Sequence, residues 1–191
     1  MNDTSHSGPY LVGQLLIAMP GMRDERFAKT VIYMCAHNEE GAMGLVLNQR
    51  LESLTFAELM SQLEIDEDNT AKGVPVHFGG PVEAGRGFVL HSDDMVRKET
   101  LNIDKGVALT STAEFFDDLS KGKGPKNCIL ALGYAGWQPG QLEHEIMRNS
   151  WMSLSVDNSF LFDDEVSRKW SQAYKLMGID PNSLSSESGR A

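Results

Sequence analysis

Apolar positions along this chain change their spacing several times, and each change marks an element. Leu15–Met19 is a continuous apolar run ended by Pro20-Gly21, which predicts a short buried strand and a turn. Met22–Phe27 is a charged connection, one helical turn long. Thr30–His37, rich in Val, Ile and Tyr, predicts a strand, and Asn38-Glu39-Glu40-Gly41 has turn chemistry. Ala42–Asn48 predicts the returning strand. Both strands are apolar on both faces, so this antiparallel hairpin is expected to be covered on both sides.

Helical spacing begins at Thr55. Thr55 and Glu58 form a capping box, and Phe56, Leu59, Met60 and Leu63 follow on one face. Glu64–Lys72 is polar and acidic, an exposed loop. Val74–Phe78 and Gly87–His91 predict strands around the GGPVEAGR segment, and Val107–Leu109 predicts another. Ser111 and Glu114 make a second capping box, opening a helix with Phe115, Phe116 and Leu119. Cys128–Leu132 predicts a buried strand. It leads through a Gly-rich loop, Gly133–Gly140, into a helix starting at Gln138 or Pro139, with Leu142 and Ile146 inward. Trp151–Val156 and Ser159–Phe162 predict a strand pair turning at Asp157-Asn158. Asp163 or Asp164 then caps a last helix with the stripe Val166, Trp170, Ala173, Tyr174 and Met177, stopped by Gly178. Short turns between strands argue for an α+β fold with a mainly antiparallel, curled sheet rather than a doubly wound one. One domain over residues 10–180, with flexible tails at 1–9 and 181–191, is the expected organisation.

Composition narrows the function. The 191 residues are 41% hydrophobic and 23% charged, which suits an ordinary globular domain. Seventeen basic against 27 acidic residues give a net charge of −10, a field that repels nucleic acid and anionic membranes. Lys121, Lys123 and Lys126 form the one tight basic cluster, in a Gly/Pro-rich turn. The two cysteines, Cys35 and Cys128, sit in apolar runs and make no disulfide framework. The apolar stretch before Met22 lacks the preceding basic residue of a signal peptide and the length of a membrane span. The expected compartment is cytoplasmic.

Candidate chemistry is sparse. Cys35 and His37 lie two apart on a predicted strand and are expected on one face, where a thiol and an imidazole form the minimal kit for nucleophilic catalysis. A buried Cys beside a hydrogen-bonded strand-end His fits the same spacing. His37, His77 and His91 sit near strand ends without metal-ligand spacing, so no metal is expected. The Gly133–Gly140 loop lacks a nucleotide fingerprint; its glycines either cradle an anion or permit a tight, Trp-packed crossing. Glu143 and Glu145 point in different directions and are not a paired acid and base.

Six segments carry a family resemblance: LLIAMPGM at Leu15–Met22, VIYMCAH at Val31–His37, GAMGLVLN at Gly41–Asn48, GGPV at Gly79–Val82, RGFVLH at Arg86–His91 and LGYAGWQPGQLEHE at Leu132–Glu145. Over Gly13–Asp180 the chain closely resembles the YqgE/AlgH family of bacterial proteins. Ala36 departs from that pattern, standing where an acidic residue commonly lies between Cys and His, which weakens any Cys-Glu-His constellation. Gln49-Arg50 departs where a basic residue and proline are common. The resemblance implies one α+β domain with a bifurcated sheet folded into a pseudo-barrel flanked by helices. It implies no catalytic residue and no cofactor; some members are described as transcriptional regulators. The expected function is non-catalytic, through a protein partner or small-molecule ligand, with any effect on gene expression indirect. The alternative is an enzyme or redox-responsive protein. Its candidate pocket comprises Cys35, His37 and Asn48 from the first block, Arg86 and His91 from the middle motif, and Gly133, Gly136, Trp137 and Gly140 from the second block. Direct nucleic-acid binding is disfavoured by the charge and by the lack of a basic recognition helix.

Overall fold

The computed structural model describes residues 10–66 and 73–184. Among these residues, nine strands form one sheet: β1 (Leu15–Ala18), β2 (Val31–Asn38), β3 (Gly41–Val46), β4 (Val76–Phe78), β5 (Val82–Ser92), β6 (Leu101–Asp104), β7 (Val107–Thr110), β8 (Cys128–Trp137) and β9 (Trp151–Leu154). Their order is β6-β7-β5-β8-β3-β2-β1-β9, with β4 branching off β8. Every pairing is antiparallel except β4 with β8. The sheet is mostly antiparallel and curls into a half-barrel flanked by helices, an α+β fold.

The branch sits on β8. Leu130 pairs with Val89 of β5 on one edge and with Val76 of β4 on the other. Further along, Ala135–Trp137 pair with Ala42–Gly44 of β3. Gly79 donates to Leu132 O beside β4, whereas Val82, three residues later, pairs with Tyr134 in the β5 ladder. The chain therefore crosses β8 between Gly79 and Val82, directly over Gly133-Tyr134. A Cβ on Gly80 (φ +153°) would lie 2.0 Å from the Tyr134 carbonyl carbon, and one on Gly133 (φ +69°) would lie 2.3 Å from Gly80 O. Only glycine permits both the close approach and the left-handed backbone.

Three apolar clusters use the two sheet faces. The first joins Leu15, Tyr33, Leu45 and Leu90 to Ala173 and Tyr174 of α5 (Lys169–Leu176). Tyr174 Oη and Trp170 Nε1 both donate to Ala18 O, at 3.1 and 2.8 Å, tying α5 to the end of β1. The second lies under α1 (Phe56–Gln62) and α2 (Ala113–Ser120), against Val89, Leu130 and Leu132. The third holds Leu16, Ile32, Met34, Trp137 and Trp151 under Leu142 of α3 (Gln141–Met147). Lys169 is buried, donating 2.7 and 3.2 Å bonds to Phe160 O and Leu161 O at the end of α4 (Asn158–Leu161). A cation suits these orphan carbonyls at a helix C-terminus.

Several sequence expectations hold. The β2–β3 hairpin is antiparallel and covered on both sides, and the Thr55–Glu58 box caps α1 with both reciprocal bonds. Others change. Leu63 is exposed, so the α1 stripe ends at Met60. Thr112, not Ser111, precedes α2, with no side-chain cap bond. No helix forms over Met22–Phe27. Strand β6 was not expected, and β5 begins at Val82 instead of Gly87. The predicted Gly133–Gly140 loop is strand as far as Trp137, because β3 and β5 pair with it, and α3 starts only at Gln141. Ser159–Phe162 is not a strand: Asp157 accepts from Phe160 N and caps α4. Pro181–Ser183 is a 3₁₀ turn capped by Asp180. The expected tail at 1–9, most of the expected 64–72 loop and residues 185–191 lie outside the described residues.

The crossing predicts a large penalty for a single methyl group. Gly133→Ala is expected to lower stability by more than about 3 kcal/mol, because it strains the backbone and forces two main chains apart. The midpoint of urea unfolding measures this, with Gly85→Ala, whose Cβ would meet nothing within 4 Å, as the neutral control.

Candidate functional site

Cys35 and His37 do not share a face. The β2–β3 register shifts between Met34 and Ala36, a β-bulge that adds one residue and breaks the alternation. Cys35 packs in the first cluster, with Sγ 3.7 Å from Tyr33 O, and burial pushes its thiol up to about 12. His37 faces α3 instead. Its Nδ1 accepts from Leu11 N–H at 3.0 Å, so the ring proton lies on Nε2, which donates to Glu143 Oε1 at 2.9 Å. The Tyr10 ring stands edge-on to it, 5.1 Å away. Both ring nitrogens are thereby occupied.

His91 is fully buried. Nδ1 donates to Ser92 O, and Nε2 accepts from the Thr110 hydroxyl, both at 2.9 Å. Thr110 in turn bonds Thr100 Oγ1 at 2.8 Å. Burial holds His91 below its ordinary value and therefore neutral. His77 is likewise buried and lowered, with Nδ1 donating to Leu130 O. Asn48 ties two segments together, accepting from Val31 N and donating to Lys29 O. Gly133 lies in the backbone crossing and Gly140 is the left-handed residue before α3. Among the described residues, no three His, Cys, Asp or Glu side chains gather as a metal site.

The described residues form two prominent open hollows. Arg86 lines the smaller, about 580 Å³, with Phe88, Tyr134 and Glu99; its guanidinium lies 3.5 Å from Glu83 and over the Phe88 ring. The larger, about 970 Å³, lies where the two Gly- and Met-rich blocks meet. The Met19–Phe27 turn forms one side, and the end of β8, α3 and the start of β9 form the other. Of the sequence-derived pocket, Gly136 and Trp137 line both hollows and Arg86 only the smaller; Cys35, His37, Asn48, His91, Gly133 and Gly140 line neither.

The floor of the larger groove is organised by Glu145. Its Oε2 accepts both indole N–H groups, from Trp137 at 2.9 Å and Trp151 at 2.8 Å, and its Oε1 accepts from Gln141 Nε2 at 2.9 Å. Trp151 meets Trp137 and Phe27 edge-to-face, at 6.1 and 5.8 Å. The rim carries Arg23, Arg26 and Arg148. Arg26 is held by Asp24 through two bonds of 3.0 and 2.7 Å. Sequence reasoning missed Glu145, Trp151 and these arginines as site residues. A detectable signal was present: two tryptophans near an acidic helix residue need an acceptor for their buried N–H groups.

Two substitutions test this geometry. Glu145→Leu leaves two buried indole donors unpaired and is expected to cost about 2–4 kcal/mol, read by urea unfolding, with a changed tryptophan emission. Glu143 is held below its ordinary 4.5 by its own backbone N–H and by His37. A depressed carboxyl contributes stability that is present above its unfolded value and lost as pH falls through the lower folded one. Glu143→Gln is therefore expected to be less stable near pH 7, by under about 1 kcal/mol for this half-exposed pair. That gap should close at acid pH in paired thermal melts.

Comparison with known proteins agrees with this fold. The AlgH-like family model matches residues 15–182. A UPF0301 protein of Beijerinckia indica is 52% identical over 199 residues, covering 100% of this chain and 97% of that one. One from Jannaschia sp. is 49% identical over 193 residues, covering 100% and 99%. The solution structure of AlgH from Pseudomonas aeruginosa superposes with a TM-score of 0.81 at 37% identity, covering both chains completely. A crystal structure from Corynebacterium diphtheriae, at 20% identity and a TM-score of 0.70 over 90% of this chain and 89% of that one, shares the fold. The chain belongs to the AlgH-like family.

Proposed function

We propose that this protein acts by binding rather than by catalysis, in the cytoplasm, with the groove between Met19–Phe27 and Gly136–Trp151 as its site. One observation carries the reading: Cys35, His37, His77 and His91 are committed to the fold, while the groove is open among the described residues. The Cys35 thiol is buried and raised to about 12, far from the thiolate a nucleophile needs. His37, with both nitrogens bonded and its face turned away from Cys35, offers that thiol no base. His77 and His91 are buried and hydrogen-bonded. The groove, by contrast, is large enough for a small molecule and mixes apolar walls with a few placed polar groups. The net charge of −10 supports an effect on gene expression, where one exists, that is indirect. Among the described residues, no helix is long and apolar enough to cross a membrane.

Amide NMR of the full chain with a chemically mixed fragment set tests the site. Saturable shifts are expected in Met22–Phe27 and Arg148–Trp151, at affinities on the order of 1 mM for single fragments. Shifts confined elsewhere would move the site. Thiol labelling of the native protein, with Cys35 and Cys128 resolved by peptide mapping, tests the absence of a nucleophile: Cys35 should react only on unfolding, and fast native labelling of Cys35 would restore the catalytic reading.

A further inference from the structure

Resting on the assignment of the groove as a binding site, we infer that its ligand is a small organic anion: a carboxylate or phosphate carried on an apolar body.

The charges lining the groove are Arg23, Arg26 and Arg148 against Asp24 and Glu145, three positive and two negative, net +1. The whole chain carries −10. Not all five charges are available. Arg26 and Asp24 neutralise each other through the two-bond pair, reinforced by a 3.0 Å bond from Arg26 N to Asp24 Oδ1. Glu145 keeps its negative charge, since none of its three N–H donors is a cation, but its oxygens are engaged by those donors. Arg23 and Arg148 are left. Among the described residues neither has a carboxylate within 4.0 Å. Two guanidinium groups facing one remaining carboxylate among the described groove residues, on the rim of a groove in an acidic protein, favour an anion, and a guanidinium matches carboxylate or phosphate oxygens two at a time.

The smaller hollow has the opposite character. Its lining charges are Arg86 against Glu40, Glu83 and Glu99, one positive and three negative, net −2. The two hollows share Val82, Gly136 and Trp137, so an anion near that junction is drawn to the larger one. The same overall field opposes a long polyanion, which would have to lie over acidic surface beyond the groove. A small, singly or doubly charged ligand meets little of that repulsion.

The apolar body follows from the floor. Both indole N–H groups are taken by Glu145, so Trp137 and Trp151 have no donor left for a ligand. What they and Met19, Met22 and Phe27 can offer is hydrocarbon, sulfur and ring surface. The thioethers can adjust to the shape of the guest.

The test is an amide NMR titration of the full chain with a matched set: phenyl phosphate, phenylacetate, benzyl alcohol, benzylamine and inorganic phosphate. At least one aromatic anion is expected to give saturable shifts in Met22–Phe27 and Arg148–Trp151. Benzyl alcohol and inorganic phosphate should each bind at least about tenfold more weakly, because each lacks half of the recognised chemistry. The tighter of the two aromatic anions identifies the head group. The Arg23→Glu/Arg148→Glu double variant should lose at least about tenfold in affinity with β2 and β3 resonances unmoved. Arg86→Glu should bind like the wild type. Equal binding by benzyl alcohol, preference for benzylamine, an unaffected double variant, or no saturable binding by either aromatic anion would each overturn the inference. Neutral or cationic compounds saturating the same amides would overturn the anion while leaving the groove as a site. A groove unmoved by these compounds and by the fragment set would remove both.

Discussion

The fold depends on one close contact between two backbones. Where the chain leaves β4 and crosses β8, Gly79 and Gly80 lie against Gly133 and Tyr134 at a separation that admits no side chain. This crossing lets β8 pair with β4 and β5 along its first half and with β3 along its second. Without it the sheet could not branch. The groove is a product of the same arrangement, since Pro81-Val82 and Gly136-Trp137 bring the crossing segment and the end of β8 to its wall.

Polar groups in the interior are used to secure these junctions. Asn48 pins the start of β2, His37 anchors the Leu11 segment and α3, His91 joins the β5 end to β7 through Thr110, and Lys169 closes α4. No buried side-chain nitrogen or oxygen among the described residues lacks a partner. A buried group with its hydrogen bonds filled stabilises one packing arrangement and has little capacity left for a substrate. Cys35 and the motif histidines His37, His77 and His91 are thus used by the fold, and none of them lines the groove. Arg23 and Arg148, which have no carboxylate within 4.0 Å among the described residues, stand on the groove rim.

Much of the fold was legible in the sequence because local signals and burial agreed. The β2–β3 hairpin, the Thr55–Glu58 cap and the Phe115-Phe116-Leu119 face each followed from spacing. The misses arose where tertiary context outweighed local chemistry. Leu101–Asp104 has no buried alternation, yet it is held as an edge strand by β7. Gly133–Trp137 has the composition of a loop but forms a central strand, because its glycines allow the crossing and its neighbours supply the ladder. Period-two reasoning put Cys35 and His37 together, and a single bulge separated them. The family and the sites of its motifs were readable from the chain. The groove was not, because Arg23 and Arg148 are 125 positions apart and only the β1–β9 pairing brings their segments together.

That pairing of early and late segments also governs how the protein can be made. As the chain leaves the ribosome, β3, β4 and β5 emerge long before β8, their common partner, and β1 waits still longer for β9. Until about residue 154 has emerged, β1 lacks its second neighbour and the third apolar cluster lacks Trp151. Until β8 and β9 are made, one edge of β3 and one edge of β1 have no partner, the kind of exposed strand edge that favours misassembly. β9 is an edge strand paired with β1 alone, so a chain that stops short of it keeps the order from β6 to β1 but leaves one edge of β1 bare and the third cluster without Trp151.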